Sequence, residues 1–283
     1  MKLYCIEAGH FKLDGGAMFG VVPKSIWNKL NPADENNMCS WAMRCLLIED
    51  GDKLILIDNG MGNKQGEKFF GHYYLHGNHN LESSLASHGF HKDDVTDVFL
   101  THLHFDHCGG SIEKVDDELR PAFKNAQYWS NRQHWEWAVN PNGREKASFL
   151  KENILPIQES GQLKYIEDIA GKGSPIHFND NMEVLLMQGH TASMMLPKIM
   201  YKEHTIIFMA DLLPSMAHIP IPYIMAYDTR PLETLSEKKA FLSEAVENKY
   251  TLFFEHDPVI ECCDLQLTDK GIRGGNTFKL EEL

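Results

Sequence analysis

The sequence predicts an α/β chain in which strands from both halves form two packed β-sheets with helices on their outer faces. Apolar runs of strand length recur from residue 3 to residue 254, with helical patterns between them. A seven-residue stretch dense in metal-binding side chains directly follows one of those runs, and further His and Asp residues follow others. At 283 residues the chain can bury a sizeable core as one large domain or two small ones. The candidate ligands run from His102 to His256, so a single domain over 1–283 is the simpler expectation.

Taken in order, residues 3–8 read as a short first strand. The glycine-rich segment 14–20 reads as a loop that either overhangs a cleft, supplying Met18 and Phe19 to a substrate wall, or is tucked into the body. Residues 39–48 and 53–57 predict two strands joined by the turn Glu49-Asp50-Gly51-Asp52, a hairpin with ordinary turn chemistry. Segment 64–79 is a loop heavy in aromatics and histidines. Its His72, His76 and His79 do not follow strands, so a pocket wall or lid that includes Phe70 is expected there rather than metal ligands. Residues 80–89 predict a helix closed by Gly89, and 95–100 a buried-type strand.

Beyond residue 107, residues 126–129 predict a strand and 131–139 a helix, capped by Ser130 or Asn131 and carrying His134, Trp135 and Trp137. A loop at Asn140-Pro141-Asn142-Gly143 precedes a second helix over 144–153, expected to end ahead of Pro156. Strand signals return at 163–166, 182–187, 194–199 and 205–210, with a turn at Gly171-Lys172-Gly173. Pro214, Pro220 and Pro222 make the segment after Asp211 an irregular loop, the kind of element on which specificity usually sits. Residues 234–248 predict a helix with Leu235, Ala240, Phe241 and Ala245 on one side, and 251–254 a last strand that hands over His256.

The chemistry concentrates in Thr101-His102-Leu103-His104-Phe105-Asp106-His107. Three imidazoles and a carboxylate within six positions suit zinc, iron, manganese or cobalt and suit calcium poorly. A sharp turn after His104 lets two histidines face one ion while Asp106 and His107 face a second. Gly109 and Gly110 would permit that turn. Cys108 touches the motif, but the other ligands suffice without it.

Composition sets limits on partners. With 27 basic and 40 acidic residues the net charge is −13, which repels phosphate backbones and anionic headgroups, so neither nucleic acid nor membrane is an expected partner. A small-molecule substrate is expected instead, and a homodimer is an assembly the sequence allows. Six cysteines without a CxxC pair read as reduced thiols. A charged N-terminus and the lack of an apolar run of about 20 residues predict a cytoplasmic protein.

The motif, together with Gly189-His190-Thr191 after 182–187, Asp211 after 205–210 and His256 after 251–254, resembles the metallo-β-lactamase-fold hydrolases over about residues 40–260. Within that family the chain looks most like the lactonase and organophosphate-hydrolase group. The resemblance implies a four-layer αββα sandwich with the ligands at one edge. It also implies two divalent transition-metal ions, zinc foremost and Mn, Fe or Co as alternatives. His102, His104 and His190 would hold one ion, Asp106, His107 and His256 the other, and Asp211 would bridge both. Asp58-Asn59-Gly60 is similar to the Asp-x-Gly that the family places behind its metals, which makes Asp58 a partner for a ligating histidine or for the Thr101 region.

The implied activity is that of a dinuclear-metal hydrolase in which a metal-bridging hydroxide attacks an ester or lactone carbonyl. Asp106 and Asp211 would orient the nucleophile or move its proton. The chain departs from the group's lactonases at Pro214, where some of them carry a tyrosine that assists the carbonyl. Tyr223 and Tyr227 lie further along the same loop, and Tyr223 joins Met18, Phe19 and Phe70 as a pocket candidate. Competing activities are phosphotriester hydrolysis, glyoxalase-type thioester hydrolysis and phosphodiester cleavage of RNA. A non-catalytic metal-binding scaffold or sensor is the competing class.

Overall fold

The computed structural model describes residues 1–167 and 176–283, which leaves the expected turn at Gly171-Lys172-Gly173 outside the described residues. The chain forms two compact units. One comprises Met1–Gly9, Met43–His72 and His76–Asp180, the other His10–Ala42, Tyr73–Leu75 and Asn181–Leu283.

In the first unit a sheet runs in the order β1-β2-β3-β4-β7-β8. Its strands are β1 (Lys2–Asp14), β2 (Met38–Asp50), β3 (Lys53–Ile57), β4 (Asp97–Phe99), β7 (Gln127–Ser130) and β8 (Leu163–Tyr165). The far ends of β1 and β2 belong to the second unit. β2 and β3 form the expected hairpin, closed tightly enough that Asp50 pairs with Lys53 across Gly51 at φ +63°. From β3 to β8 the pairings are parallel. β3 and β4 are apolar-rich runs buried at nearly every position, as parallel strands tend to be. Leu56, Val98 and Tyr128 from three neighbouring strands share one core with Leu85, Leu103 and Ile154. β5 (Ile112–Val115) and β6 (Glu118–Pro121) form a separate antiparallel pair.

In the second unit β10 (Met182–Met187), β11 (Met194–Tyr201), β12 (His204–Phe208), β13 (Thr251–Phe253), β14 (Cys262–Thr268) and β15 (Gly271–Phe278) lie side by side in that order. β12 and β13 are parallel while the other pairs are antiparallel. A further strand, β9, covers Ile176–Asn179. The helix Pro231–Glu247 starts on a proline, whose fixed φ and missing N–H suit a first turn, and buries Phe241, Leu242 and Ala245.

Several expected elements fall elsewhere. β1 runs on to Asp14 because Gly9 stays in the strand at φ +112°, where a side chain would be strained. The expected loop 14–20 is instead a short helix, Gly15–Phe19, because the Asp14 carboxylate accepts the Ala17 N–H at 2.9 Å. The helix expected over 144–153 spans Lys151–Glu159 and carries Pro156 inside it. Burial of Ile154, Pro156 and Ile157 offsets the one hydrogen bond that the proline removes. On the last helix Ala240 is exposed and Lys238 is buried, the reverse of what an apolar stripe predicts. The β5–β6 and β14–β15 hairpins carry too many polar residues to announce themselves.

Candidate metal centre

In the first unit the motif leaves the carboxyl end of β4, beside the end of its parallel neighbour β3. Ligand sites in sheets with parallel strands gather at such ends. Asp58, one residue past β3, turns its buried carboxylate onto the motif. It accepts from Thr101 N at 2.8 Å and from Thr101 Oγ1 at 2.6 Å, and lies 3.1 Å from His107 Nδ1. Thr101 Oγ1 lies in turn 3.1 Å from His102 Nδ1. Asp58 therefore meets both the Thr101 region and His107, and His102 and His107 each use Nδ1 for these contacts.

His104 caps the short helix Phe105–Cys108, which carries Asp106 and His107. His102 Nε2 and His104 Nδ1 converge to 3.1 Å. Two nitrogens bound about 2.0–2.1 Å from one tetrahedral ion sit roughly 3.3–3.4 Å apart, so this pair fits a shared cation. Gly109 follows at an ordinary φ of −62°, so the glycines are not needed for an unusual backbone turn. They are needed for close approach. A Cβ on Gly109 would lie 2.1 Å from Met61 O, and one on Gly110 would lie 2.3 Å from Asn59 O.

Cys108 is buried, its thiol donates to Leu103 O at 3.3 Å, and burial pushes its pKa up to about 12. It is a structural residue.

In the second unit Asp211 and His256 follow the ends of the parallel strands β12 and β13, and His190 follows β10. The three converge. His190 Nε2 is 3.0 Å from Asp211 Oδ2, and His256 Nε2 is 3.2 Å from Asp211 Oδ1. The opposite nitrogens are fixed, His190 Nδ1 by Asp228 at 2.8 Å and His256 Nδ1 by Ala42 O at 2.7 Å. Burial opposes a charge on His190, but Asp211 and Asp228 outweigh it and raise its pKa to about 10. Gly189 allows the turn to pack on the last helix, since a Cβ there would lie 2.2 Å from Thr234 Oγ1.

His102, His107, His190 and His256 thus each use Nδ1 for an orienting contact. A contact of that kind is what a metal-ligating imidazole requires. The mixed imidazole and carboxylate set can hold transition metals, zinc included.

Several supporting residues escaped the sequence reading. Asp228 is 38 positions from His190, and Glu145 comes within 3.6 Å of His104 Nε2 from a turn. His134 accepts the Leu103 N–H at 2.8 Å through Nε2, between His102 and His104. No spacing rule links such residues, because only folding makes them neighbours.

Of the pocket candidates, Met18 and Phe19 are buried in the second unit rather than exposed on a wall. Phe19 stacks on Trp27 and on His218, and Tyr223, half-buried, meets its edge at 6.4 Å. Phe70, also half-buried, packs on Phe69 in the first unit. His72, His76 and His79 are exposed and away from strand ends. Replacing each by Ala should leave metal content at the wild-type level in elemental analysis, and loss of an ion in any of the three would mean the ligand assignment is wrong.

Comparison with known proteins agrees with this geometry. The family model described as the metallo-beta-lactamase superfamily matches residues 44–256. An N-acyl homoserine lactonase from Bacillus thuringiensis is 28% identical over 165 residues, covering 55% of this chain and 56% of the relative, and one from Bacillus cereus is similar to the same extent. The chain therefore spans about half the length of these curated relatives. Among solved structures, a probable metal-dependent hydrolase from Staphylococcus aureus superposes with a TM-score of 0.87 at 25% identity, over 100% of this chain and 98% of that one. A dizinc quorum-quenching lactonase, AidC, superposes with a TM-score of 0.78 at 22% identity, over 98% and 95% of the two chains.

Proposed function

We propose, from the premise that this chain belongs to the metallo-β-lactamase superfamily, that it is a dinuclear-metal hydrolase of small esters or lactones. Residues 1–283 would act as one functional domain. His102, His104 and His190 are assigned to one divalent ion, Asp106, His107 and His256 to the other, and Asp211 to both, with zinc the favoured metal.

The observation that carries the reading is the pairing of the two Asp211 oxygens with Nε2 of two different histidines, at 3.0 and 3.2 Å. A carboxylate that offers one oxygen to each of two donor groups is suited to serve two cations at once. When bound, a pair of divalent ions acidifies the water they share, from a pKa near 16 toward about 7, and polarises the substrate oxygen.

The chain's own residues do the rest. Asp106 and Asp211 orient the nucleophile or take its proton. Asp58, Asp228 and the Ala42 carbonyl hold the imidazoles at the required tautomer and angle. No serine or cysteine nucleophile is required, and the buried thiol of Cys108 is too basic to serve as one at neutral pH.

The lactone half of the proposal is carried over from the N-acyl homoserine lactonases. Pro214 stands where some lactonases of this group have a tyrosine, and here its carbonyl accepts the His256 N–H at 3.1 Å. A hydroxyl assisting the carbonyl would have to come from Tyr223 or from the exposed Tyr227. A small uncharged substrate agrees with the net charge of −13, and among the described residues no helix is long and apolar enough to cross a membrane.

The test is elemental analysis of metal-replete protein together with a screen of lactones, aryl esters, thioesters and phosphotriesters. Close to two transition-metal ions per chain and turnover of an ester or lactone are expected. One ion or fewer would bring a mononuclear oxygenase of the same fold forward. Full metallation without turnover of any class would favour a scaffold or sensor.

A further inference from the structure

We propose that Lys238 is a positioning residue that fixes the course of residues 218–223, and that the loop so fixed sets which substrates the metal centre accepts. The second half rests on the proposed function.

Lys238 lies mid-way along the helix Pro231–Glu247 and is fully buried. Its ammonium donates to His218 O at 2.6 Å, Tyr223 O at 2.7 Å and Pro220 O at 3.1 Å. Three N–H donors therefore meet three main-chain carbonyls of one loop. That loop contains Pro220 and Pro222, which lack an N–H, and of the three carbonyls Pro220 O also accepts the Tyr223 N–H at 2.9 Å. Burial works against the charge and lowers the lysine pKa to about 7, with Asp228 opposing that shift.

The held segment belongs to the connection that leaves Asp211. Pro214 O accepts from His256 N, and Met216 N donates to Asp257 at 3.1 Å. Buried His218, whose pKa burial lowers to about 3, accepts from Ser215 Oγ at 2.7 Å and donates to Met18 O at 3.0 Å. The next residue back on the helix, Glu237, accepts the N–H groups of Gln188 and Gly189 at 2.6 and 3.0 Å, just ahead of His190. Adjacent helix residues thus hold the turn that carries a metal ligand and the loop that leaves another. The helix sets the loop in a fixed place relative to His190.

The test uses Lys238→Met, which keeps the unbranched side chain to within one atom of its length and removes all three donors. Metal content and far-UV circular dichroism should match wild type. Hydrogen exchange of amides in 214–225 should quicken roughly tenfold or more, the order expected when a loop loses buried hydrogen bonds. The ratio of kcat/KM for p-nitrophenyl octanoate to that for p-nitrophenyl acetate should shift at least several-fold, mainly through KM. Lys238→Gln retains two donors and should fall between the two, and it carries the same test if Lys238→Met does not fold. Unchanged loop exchange would overturn the positioning role. Faster exchange with an unchanged ester ratio would overturn the specificity role. A wild type inactive on both esters would end the substrate half together with the proposed function, while the exchange measurement would still decide whether Lys238 holds the loop.

Discussion

Asp211→Asn is expected to lower hydrolysis by several orders of magnitude while leaving the fold intact. The aspartate is buried, with one oxygen on His190 and the other on His256. Asparagine keeps the shape but brings no charge, and its amide nitrogen cannot accept, so one of the two histidines faces a donor where it had faced a carboxylate oxygen. Mutual repulsion between two bound cations would then go unbalanced. A misplaced catalytic group commonly costs about 10²-fold or more, and loss of an ion adds to that. The fold should persist because Asp211 follows the end of β12, while the core of the second unit is built from residues such as Ile207, Phe208 and Leu252. Metal content, thermal stability and turnover of an aryl ester or lactone, measured side by side, provide the check. A variant that keeps both ions and a near wild-type rate would rule this mechanism out.

A second large effect is expected at Asp58, through orientation rather than direct contact with substrate. Its carboxylate joins Thr101 N, Thr101 Oγ1 and His107 Nδ1, and both Asp58 and His107 are fully buried. Asp58→Asn keeps a side chain that tolerates the residue's φ of +56° and can still accept the Thr101 N–H through its oxygen. It cannot accept from both Thr101 Oγ1 and His107 Nδ1 on the other arm. His107 then loses the group that orients it and sets its tautomer. Metal affinity should fall about 10- to 100-fold, as when other carboxylates behind ligating histidines are removed. Chelator competition reads this directly, and a variant whose affinity equals that of wild type would remove Asp58 from the site's support. Asp58→Ala should in addition lower stability by about 3 kcal/mol, because it leaves buried partners unsatisfied.

Legibility in the sequence followed the range of the interactions. The motif from Thr101 to His107 is local, and its donors stand next to one another before any folding occurs. The strand that delivers it, the hairpin behind it and the cap at Asn131 were likewise fixed by short-range pattern. Errors arose where a local signal was overridden. Gly9 looked like the end of a strand, yet a positive φ within β1 let the strand continue. Pro156 looked like a helix end, but burial of its neighbours kept the helix going. Gly109 and Gly110 looked like turn residues, whereas their hydrogens are required by the backbone of residues 59–61 pressed against them.

By itself, the sequence supplied strand periodicity and the dense imidazole and carboxylate motif of residues 101–107, which are properties of neighbouring residues. The metallo-β-lactamase fold and the full set of candidate ligands followed from the family resemblance. Only the tertiary structure decided what holds those ligands and which nitrogen each histidine presents. Asp228 reaches His190 across 38 positions, and His256 is oriented by the carbonyl of Ala42, 214 positions away. Lys238 was the least legible residue of all. On a helix its charge reads as a solvated face, and nothing in its neighbours reveals that three carbonyls of a proline-containing loop gather around its ammonium once the chain folds.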